Sequence, residues 1–310
     1  MPEIQTAVIG VGHLGKFHAQ KFFQLQNSAL TAVADKDYGK AQEIAAATSC
    51  TAVADYRELL GQVDAVSIAV PTDLHFEIAQ DFLCHKSHVL VEKPMTASLE
   101  QADTLIALAR EHGRVLQVGH LERFNPAIVA LEEQLGEARF IECHRLSPYK
   151  IRGTEVNVVL DLMIHDIDII LEIVDSEVDR IDAKGTPVLS DDIDIANARI
   201  TFKNGCVANV TASRVSTTTD RKMRIFQNDA YLSVDFQNHE LAVYRKGEQE
   251  MYPGVPNIDV QKIRCEENDA LLAEIENFLG CIANGASPKV SGLDGKRALQ
   301  TAILISEQLT

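Results

Sequence analysis

Glu92-Lys93-Pro94 closes an apolar run, His88-Val89-Leu90-Val91, well downstream of a glycine-rich turn. In an open α/β sheet the carboxyl ends of the strands are where ligands are handled. Proline fixes its own φ and restricts the residue before it. Lys93 is therefore expected in an extended pose, its ammonium directed across the strand tips, where a lysine can act on a bound molecule. Alone, the triplet also reads as a loop lysine before a turn proline.

A second set of residues lies upstream. The run at 4–9 leads into Gly10-Val11-Gly12-His13-Leu14-Gly15, a GxGxxG spacing with helical sequence directly behind it. The first glycine permits a tight turn, the second lets a pyrophosphate approach the backbone, and the third lets helix and strand pack closely. Phosphates would sit on free N–H groups at the helix start. Asp35, at the end of the next apolar run, is placed to accept hydrogen bonds from both ribose hydroxyls of an adenosine. That favours NAD over NADP, whose 2′-phosphate would meet a negative charge; Lys36 would partly offset the repulsion. The run at 65–70 continues into Pro71-Thr72-Asp73-Leu74-His75. Thr72 is a natural N-cap, and in a dinucleotide fold this loop passes beneath the cofactor. The expected cofactor contacts are thus Gly10, Gly12, His13, Leu14, Gly15, Asp35, Pro71, Thr72 and His75, with Glu92 and Lys93 at the strand end.

The third constellation is on one helix, at 161–171. Asp161 and His165 are four apart and share a face, with Asp168 three further on. Leu162, Ile164, Ile167 and Leu171 cover much of the rest, so a polar stripe is set into an otherwise apolar helix. Such a stripe needs a reason: a metal site, a buried hydrogen-bond network, or an imidazole that takes a hydroxyl proton while a hydride leaves the same carbon. A hydride-accepting cofactor already supplies the electrophile, so no metal is expected.

The elements that must position these groups follow from periodicity. Up to residue 120, apolar runs at 4–9, 30–34, 65–70, 88–91 and 115–118 alternate with helical stretches at 17–25, 74–83 and 99–110, the last capped by Ser98 and closed by Gly113. This is the pattern of a Rossmann-type doubly wound parallel sheet. Near 120 the rhythm stops. Gly119-His120-Leu121-Glu122-Arg123-Phe124-Asn125-Pro126 reads as a junction, with Asn125 as N-cap and Pro126 at the first helical position. Strand-like segments at 138–146, 194–202, 207–213, 224–226, 232–236 and 241–244 follow, with a hairpin signal at Lys203-Asn204-Gly205. The expectation is an α/β cofactor domain at 1–120 and, at 121–310, an α+β domain with a mostly antiparallel open sheet.

Composition narrows the class. The chain has 310 residues, 46% hydrophobic and 24% charged, with net charge −16. Such a balance opposes nucleic-acid binding, which needs a basic footprint. No apolar run is long enough to span a bilayer. Met1-Pro2-Glu3 lacks a basic stretch leading into a long apolar segment, so a cytoplasmic protein is expected. Six scattered cysteines form no zinc or redox spacing. Two basic groups, Arg145/Lys150/Arg152 and Arg214/Arg221/Lys222/Arg224, read either as solvated faces or as a pocket for an anionic ligand.

The glycine turn, the Pro71-Thr72-x-x-His75 loop, Glu92-Lys93-Pro94 and the Asp161-x-x-x-His165 helix together resemble the glucose-fructose oxidoreductase/inositol dehydrogenase/rhizopine catabolism (Gfo/Idh/MocA) family of NAD(P)-dependent sugar oxidoreductases. The resemblance covers nearly the whole chain. It implies that Lys93 lies beside the nicotinamide and the reacting hydroxyl, that His165 is the general base and that Asp161 positions the substrate. It also implies a homodimer or homotetramer built on the open sheet. Within the family, the 119–126 segment, Ser147-Pro148-Tyr149 and the 161–168 helix are most similar to the branch that oxidises the 3-hydroxyl of UDP-N-acetylglucosamine in lipid A amino-sugar synthesis. That adds Arg123, Tyr149 and Arg152 as expected substrate contacts. A free polyol or monosaccharide such as inositol, or a non-catalytic dinucleotide or sugar sensor, remain the alternatives.

Overall fold

The computed structural model describes residues 3–149, 157–266 and 268–309. They form two compact units, Met1–Leu121 with Asp269–Lys296, and Glu122–Asn268 with Arg297–Thr310.

In the first unit, strands β1 (Ile4–Ile9), β2 (Ser28–Ala34), β3 (Thr51–Val53), β4 (Ala65–Ile68), β5 (His88–Glu92) and β6 (Leu116–Gly119) are all parallel, in the order β3-β2-β1-β4-β5-β6. Helices α1 (Gly15–Gln24), α2 (Tyr38–Thr48), α3 (His75–Cys84) and α4 (Leu99–Glu111) connect them. Val8, Val33, Val66 and Val89 are fully buried, as strands covered on both faces require. The order reverses between β1 and β4, and ligands of such sheets bind at that switch point, beyond the carboxyl ends of the strands. Those ends carry Gly10, Asp35, Pro71 and Lys93. Strand β3 has three residues, too few for a periodic signal. The Ser98 side chain accepts from Gln101 N–H, as an N-cap should, and Gly113 has φ +61° just past α4. Thr72 is no cap: it opens a 3₁₀ turn, Thr72–Leu74, that leads directly into α3.

In the second unit, α5 (Pro126–Glu132) starts at Pro126 with the Asn125 side chain accepting from Ala127 N–H. Strand β7 (Phe140–Leu146) follows, then a π-helical turn, Val159–Met163, that runs into α6 (Ile164–Val174). Strands β8 (Val178–Thr186), β9 (Ile195–Phe202), β10 (Val207–Ser213), β11 (Asp220–Phe226), β12 (Ala230–Asp235), β13 (Glu240–Tyr252) and β14 (Val255–Arg264) complete a sheet ordered β14-β13-β12-β11-β7-β10-β9-β8. Every pair is antiparallel except β7 with β10. Gly205, at φ +85°, makes the expected turn between β9 and β10. One face is apolar and buried under α6, with Ile141, Ala198, Val210, Met223 and Leu232 packed beside Met163, Ile167 and Ile170. The opposite face is half-exposed and carries a row of rings, Phe140, Phe226, Tyr231 and Tyr244, with successive centroids 5.8, 4.8 and 4.9 Å apart.

Helices α7 (Ala270–Asn284) and α8 (Gly292–Glu307) end the chain. The expected division placed everything after residue 120 in one domain. Asp269–Lys296 belongs instead to the first unit, because Ile275, Phe278 and Leu279 of α7 are buried with Phe22, Val8 and Leu90. A helical period specifies an apolar face but not the sheet that buries it.

Candidate active site

The glycine turn is shaped by two clashes and one clearance. A Cβ on Gly10, whose φ is +82°, would lie 2.7 Å from Ala69 O. One on Gly15 would lie 1.7 Å from Gly10 O. One on Gly12 would meet no protein atom within 4 Å, so the space beside it is open to a ligand. His13 and Leu14 are exposed at the same turn, and α1 begins at Gly15. Asp35 is oriented from below: Oδ2 accepts Val11 N–H at 2.9 Å and Oδ1 accepts Asp37 N–H at 2.9 Å. Each oxygen keeps a lone pair for a ribose hydroxyl. These residues fit a dinucleotide, with the pyrophosphate over Gly12 and the adenosine ribose at Asp35. Pro71 and Thr72 are also accessible.

His75 is a correction. Its ring is 1% exposed, with Nδ1 2.8 Å from Pro94 O and Nε2 2.9 Å from Val70 O. It braces the loop after β4 against the loop after β5 and is not available as a cofactor contact. Burial holds it below its ordinary value against the pull of the two carbonyls; a neutral ring donates to one carbonyl only.

Glu92 also differs from its expected role. Its carboxylate lies over Gly119, where a Cβ would sit 3.1 Å from it, and Oε1 is 3.0 Å from His18 Nε2. The other His18 nitrogen, Nδ1, is 2.8 Å from Ser67 Oγ. This Ser-His-Glu order resembles a hydrolase triad, but Ser67 is fully buried in β4 and no substrate can reach it. Burial pushes Glu92 up; His18, Lys93 and His75 together hold it below the usual carboxylate range. Lys93 follows it, half-buried at the end of β5, and the Lys93-Pro94 peptide is cis.

In the second unit, Asp161 lies in the π turn and His165 in the first turn of α6, both half-exposed, whereas Asp166 and Asp168 just beyond them are buried. π turns of this kind recur at functional sites. Asp166 is gripped by Arg145 of β7, Nε to Oδ2 at 2.9 Å and Nη2 to Oδ1 at 2.8 Å, while Nη1 donates to Glu122 at 2.8 Å. Arg145 also lies over the Phe236 ring, 5.6 Å from its centre. Burial raises Glu122, and Arg145 pulls it below its ordinary value.

That geometry settles most of the basic clusters. Arg145 is internal, and Arg214 donates to buried Asp194 at 2.8 Å. Lys222 pairs with Asp220 at 3.0 Å, Arg224 with Glu142 at 3.5 Å, and Arg221 lies 3.7 Å from Glu122. Arg123, expected at the substrate, is 2% exposed, with its guanidinium 2.9 Å from Glu172 and 3.7 Å from Asp168; burial against those carboxylates withdraws it from that role. Tyr149 is 37% exposed. Lys150 and Arg152 lie outside the described residues. Among the described residues, no group of three His, Cys, Asp or Glu side chains is arranged to hold a metal ion. Sequence reasoning missed His18, Ser67 and Gly119; no spacing marks them, because Ser67 and Gly119 meet this cluster through the parallel pairing of β4, β5 and β6, and His18 through the packing of α1 on that sheet.

Residues 4–120 match the family model described as the oxidoreductase family with NAD-binding Rossmann fold (GFO_IDH_MocA), and residues 129–233 match the GFO/IDH/MocA C-terminal domain. The chain is 42% identical to UDP-N-acetylglucosamine 3-dehydrogenase of Acidithiobacillus ferrooxidans over 98% of its own length and 97% of that protein's. A solved structure of that enzyme superimposes with TM-score 0.94 at 41% identity, covering 100% of this chain and 98% of the other. Similarity to the scyllo-inositol 2-dehydrogenase (NAD(+)) of Bacillus subtilis is 24% over 97% of this chain and 92% of that one.

Proposed function

The chain belongs to the GFO/IDH/MocA family of NAD-binding oxidoreductases, and from that premise we propose that it oxidises the 3-hydroxyl of UDP-N-acetylglucosamine to a ketone with NAD. The observation that carries the substrate is the 42% identity over 98% of the chain to an enzyme of that name. When bound, the nicotinamide supplies the hydride acceptor. Lys93, at the strand end, carries the ammonium that lowers the pKa of the reacting hydroxyl, and His165 takes its proton. Asp161 orients the sugar from the π turn, with Tyr149 as a further contact. Asp35 supports NAD over NADP, since its carboxylate would repel a 2′-phosphate. The half-exposed sheet face with its stacked rings supports assembly into a homodimer or homotetramer.

A second reading, oxidation of a free polyol, is favoured by the internal pairing of Arg145 and Arg214: those guanidiniums are engaged by carboxylates and cannot neutralise a diphosphate. The test is NADH absorbance with UDP-N-acetylglucosamine, myo-inositol and glucose in parallel, with a carbonyl trap to pull the equilibrium. Signal with the nucleotide sugar alone is expected. Signal only with a free sugar would move the substrate to the second reading, and silence with all three despite NAD binding would point to a sensor.

A further inference from the structure

The segment after β2 surrounds the ribose position with charge of both signs, in the run Asp35-Lys36-Asp37-Tyr38-Gly39-Lys40. Asp35 is half-buried, whereas Lys36, Asp37 and Lys40 are exposed. A phosphate such as the one on the 2′ position of NADP is recognised by cationic side chains and by the N–H groups and positive dipole end of a helix start. Both kinds of group are present here, because α2 begins at Tyr38 and carries Lys40 in its first turn. One side chain takes up both. Asp37 is the N-cap of α2: Oδ1 accepts Lys40 N–H at 3.4 Å, and Oδ2 lies 3.3 Å from the Lys40 ammonium. The N–H of the same residue donates to Asp35 Oδ1 at 2.9 Å, so Asp37 is joined to the carboxylate assigned to the ribose. Lys40 in turn holds Asp37 below the usual carboxylate range, and it is ionised at neutral pH. The neighbouring strand end is arranged in the same way. Asp35 N–H donates to Val53 O at the end of β3 at 3.3 Å, and the arginine beyond that strand, Arg57, lies 2.6 Å from Glu77 and 3.4 Å from Asp55.

We propose that Asp37 is a second determinant of cofactor choice: as an internal anion it occupies the Lys40 ammonium and the α2 start that a 2′-phosphate would otherwise engage, so that two carboxylates, and not Asp35 alone, discriminate against NADP. This deepens the NAD reading of the site and rests on it for the place of the ribose. Capping by itself does not require Asp37 to be acidic, since Ser, Thr or Asn caps a helix as well. An exposed ion pair of this kind also adds little to stability. Its consequence is in where charge is placed, beside the position of a group that carries a charge of about −1.5 to −2.

The equivalence of Asn and Asp as caps supplies the test, which reads binding and needs no substrate. Dissociation constants for NADH and NADPH are measured by isothermal titration calorimetry on wild type, Asp37→Asn, Asp35→Ala and the double variant. Asp37→Asn keeps a cap on α2 and removes the charge, which releases Lys40. In the Asp35→Ala background it should tighten NADPH roughly three- to tenfold while NADH stays within about twofold. Lys40→Ala added to the double variant should abolish most of that gain. In the wild-type background the gain should be smaller, because Asp35 still meets the phosphate. NADPH affinity unchanged by Asp37→Asn in both backgrounds, or NADH and NADPH shifted equally, would make Asp37 a helix cap and end the proposal. A gain that survives Lys40→Ala would overturn the masking of that lysine. An unaltered NADH-over-NADPH preference in Asp35→Ala would defeat the reading of Asp35 instead, and a gain from Asp37→Asn in that variant would still sustain Asp37 as a selector.

Discussion

Each unit has one buried polar cluster behind a proposed reacting group, and the two are built differently. Behind Lys93, the members are all carboxyl or imidazole groups: Glu92, His18, His75 and the buried Glu274, whose carboxyl is raised by burial and by Glu92. Behind His165, the centre is a guanidinium, Arg145, forked onto Asp166 and Glu122. Arginine does not lose its proton in a protein, so the second cluster keeps its central charge wherever the first would change. The contrast separates two tasks. A strand end bordered by carboxyl and imidazole groups responds to pH, whereas a helix held by a bidentate guanidinium clamp keeps its charge and its angle.

The widest break in this comparison would come from the reacting groups themselves. Lys93→Ala and His165→Ala should each lower turnover by about two to four orders of magnitude while NADH affinity, read by fluorescence titration, stays within a few-fold. Wild-type turnover in both would leave the two clusters with nothing to serve. Next in size is the clamp: Arg145→Ala strands Asp166 and Glu122 in the interior and should cost about 3–5 kcal/mol in urea unfolding. A loss under about 1 kcal/mol would mean that water replaces the guanidinium and the rigid-clamp contrast fails. Asp35→Ala sharpens the picture of the first unit, because two backbone N–H groups hold the Asp35 carboxylate in place. It should narrow the NAD-over-NADP preference by roughly tenfold, about 1.4 kcal/mol, read from initial rates with the two cofactors.

The smallest effects are in pH dependence, and their signs differ. Asp194, held low by Arg214 and three backbone N–H groups against the cost of burial, and Glu122, held low by Arg145, have folded values below their unfolded ones. Their contributions are present above about pH 4 and fade as pH falls below it. Glu274 is opposite: its folded value is raised, so its contribution is present below about pH 4 and lost as pH rises. Glu274→Gln should therefore stabilise the protein increasingly between about pH 5 and 8. Urea midpoints across that range would show it, and a flat difference would mean that Glu274 ionises in the folded state much as it does unfolded.

Much of this was legible beforehand wherever the cause is local. The Gly10 turn, the Ser98 and Asn125 caps and the Gly205 hairpin stand as expected, since each depends on a φ angle or a hydrogen bond within a few residues. His75 and Glu92 were picked out as chemically meaningful but given outward roles; the packing of α3 and of Gly119 turns them inward. The basic clusters failed for the same reason. Closeness in sequence identified Arg145 and Arg214 as cations but not the carboxylates, 21 and 20 residues away, that neutralise them.

By itself the sequence determined the parallel sheet, its glycine turn and the strand-end lysine, because backbone conformation and hydrophobic period are properties of neighbouring residues; the single helix expected at 161–171 is instead a π turn ending at Met163 followed by α6. Only the tertiary structure decided which unit takes α7, which charge meets which counter-charge, and which polar groups leave water. Desolvation acts on whatever the fold brings together, and here it brings together Ser67 with His18 across 49 residues and His18 with Glu92 across 74.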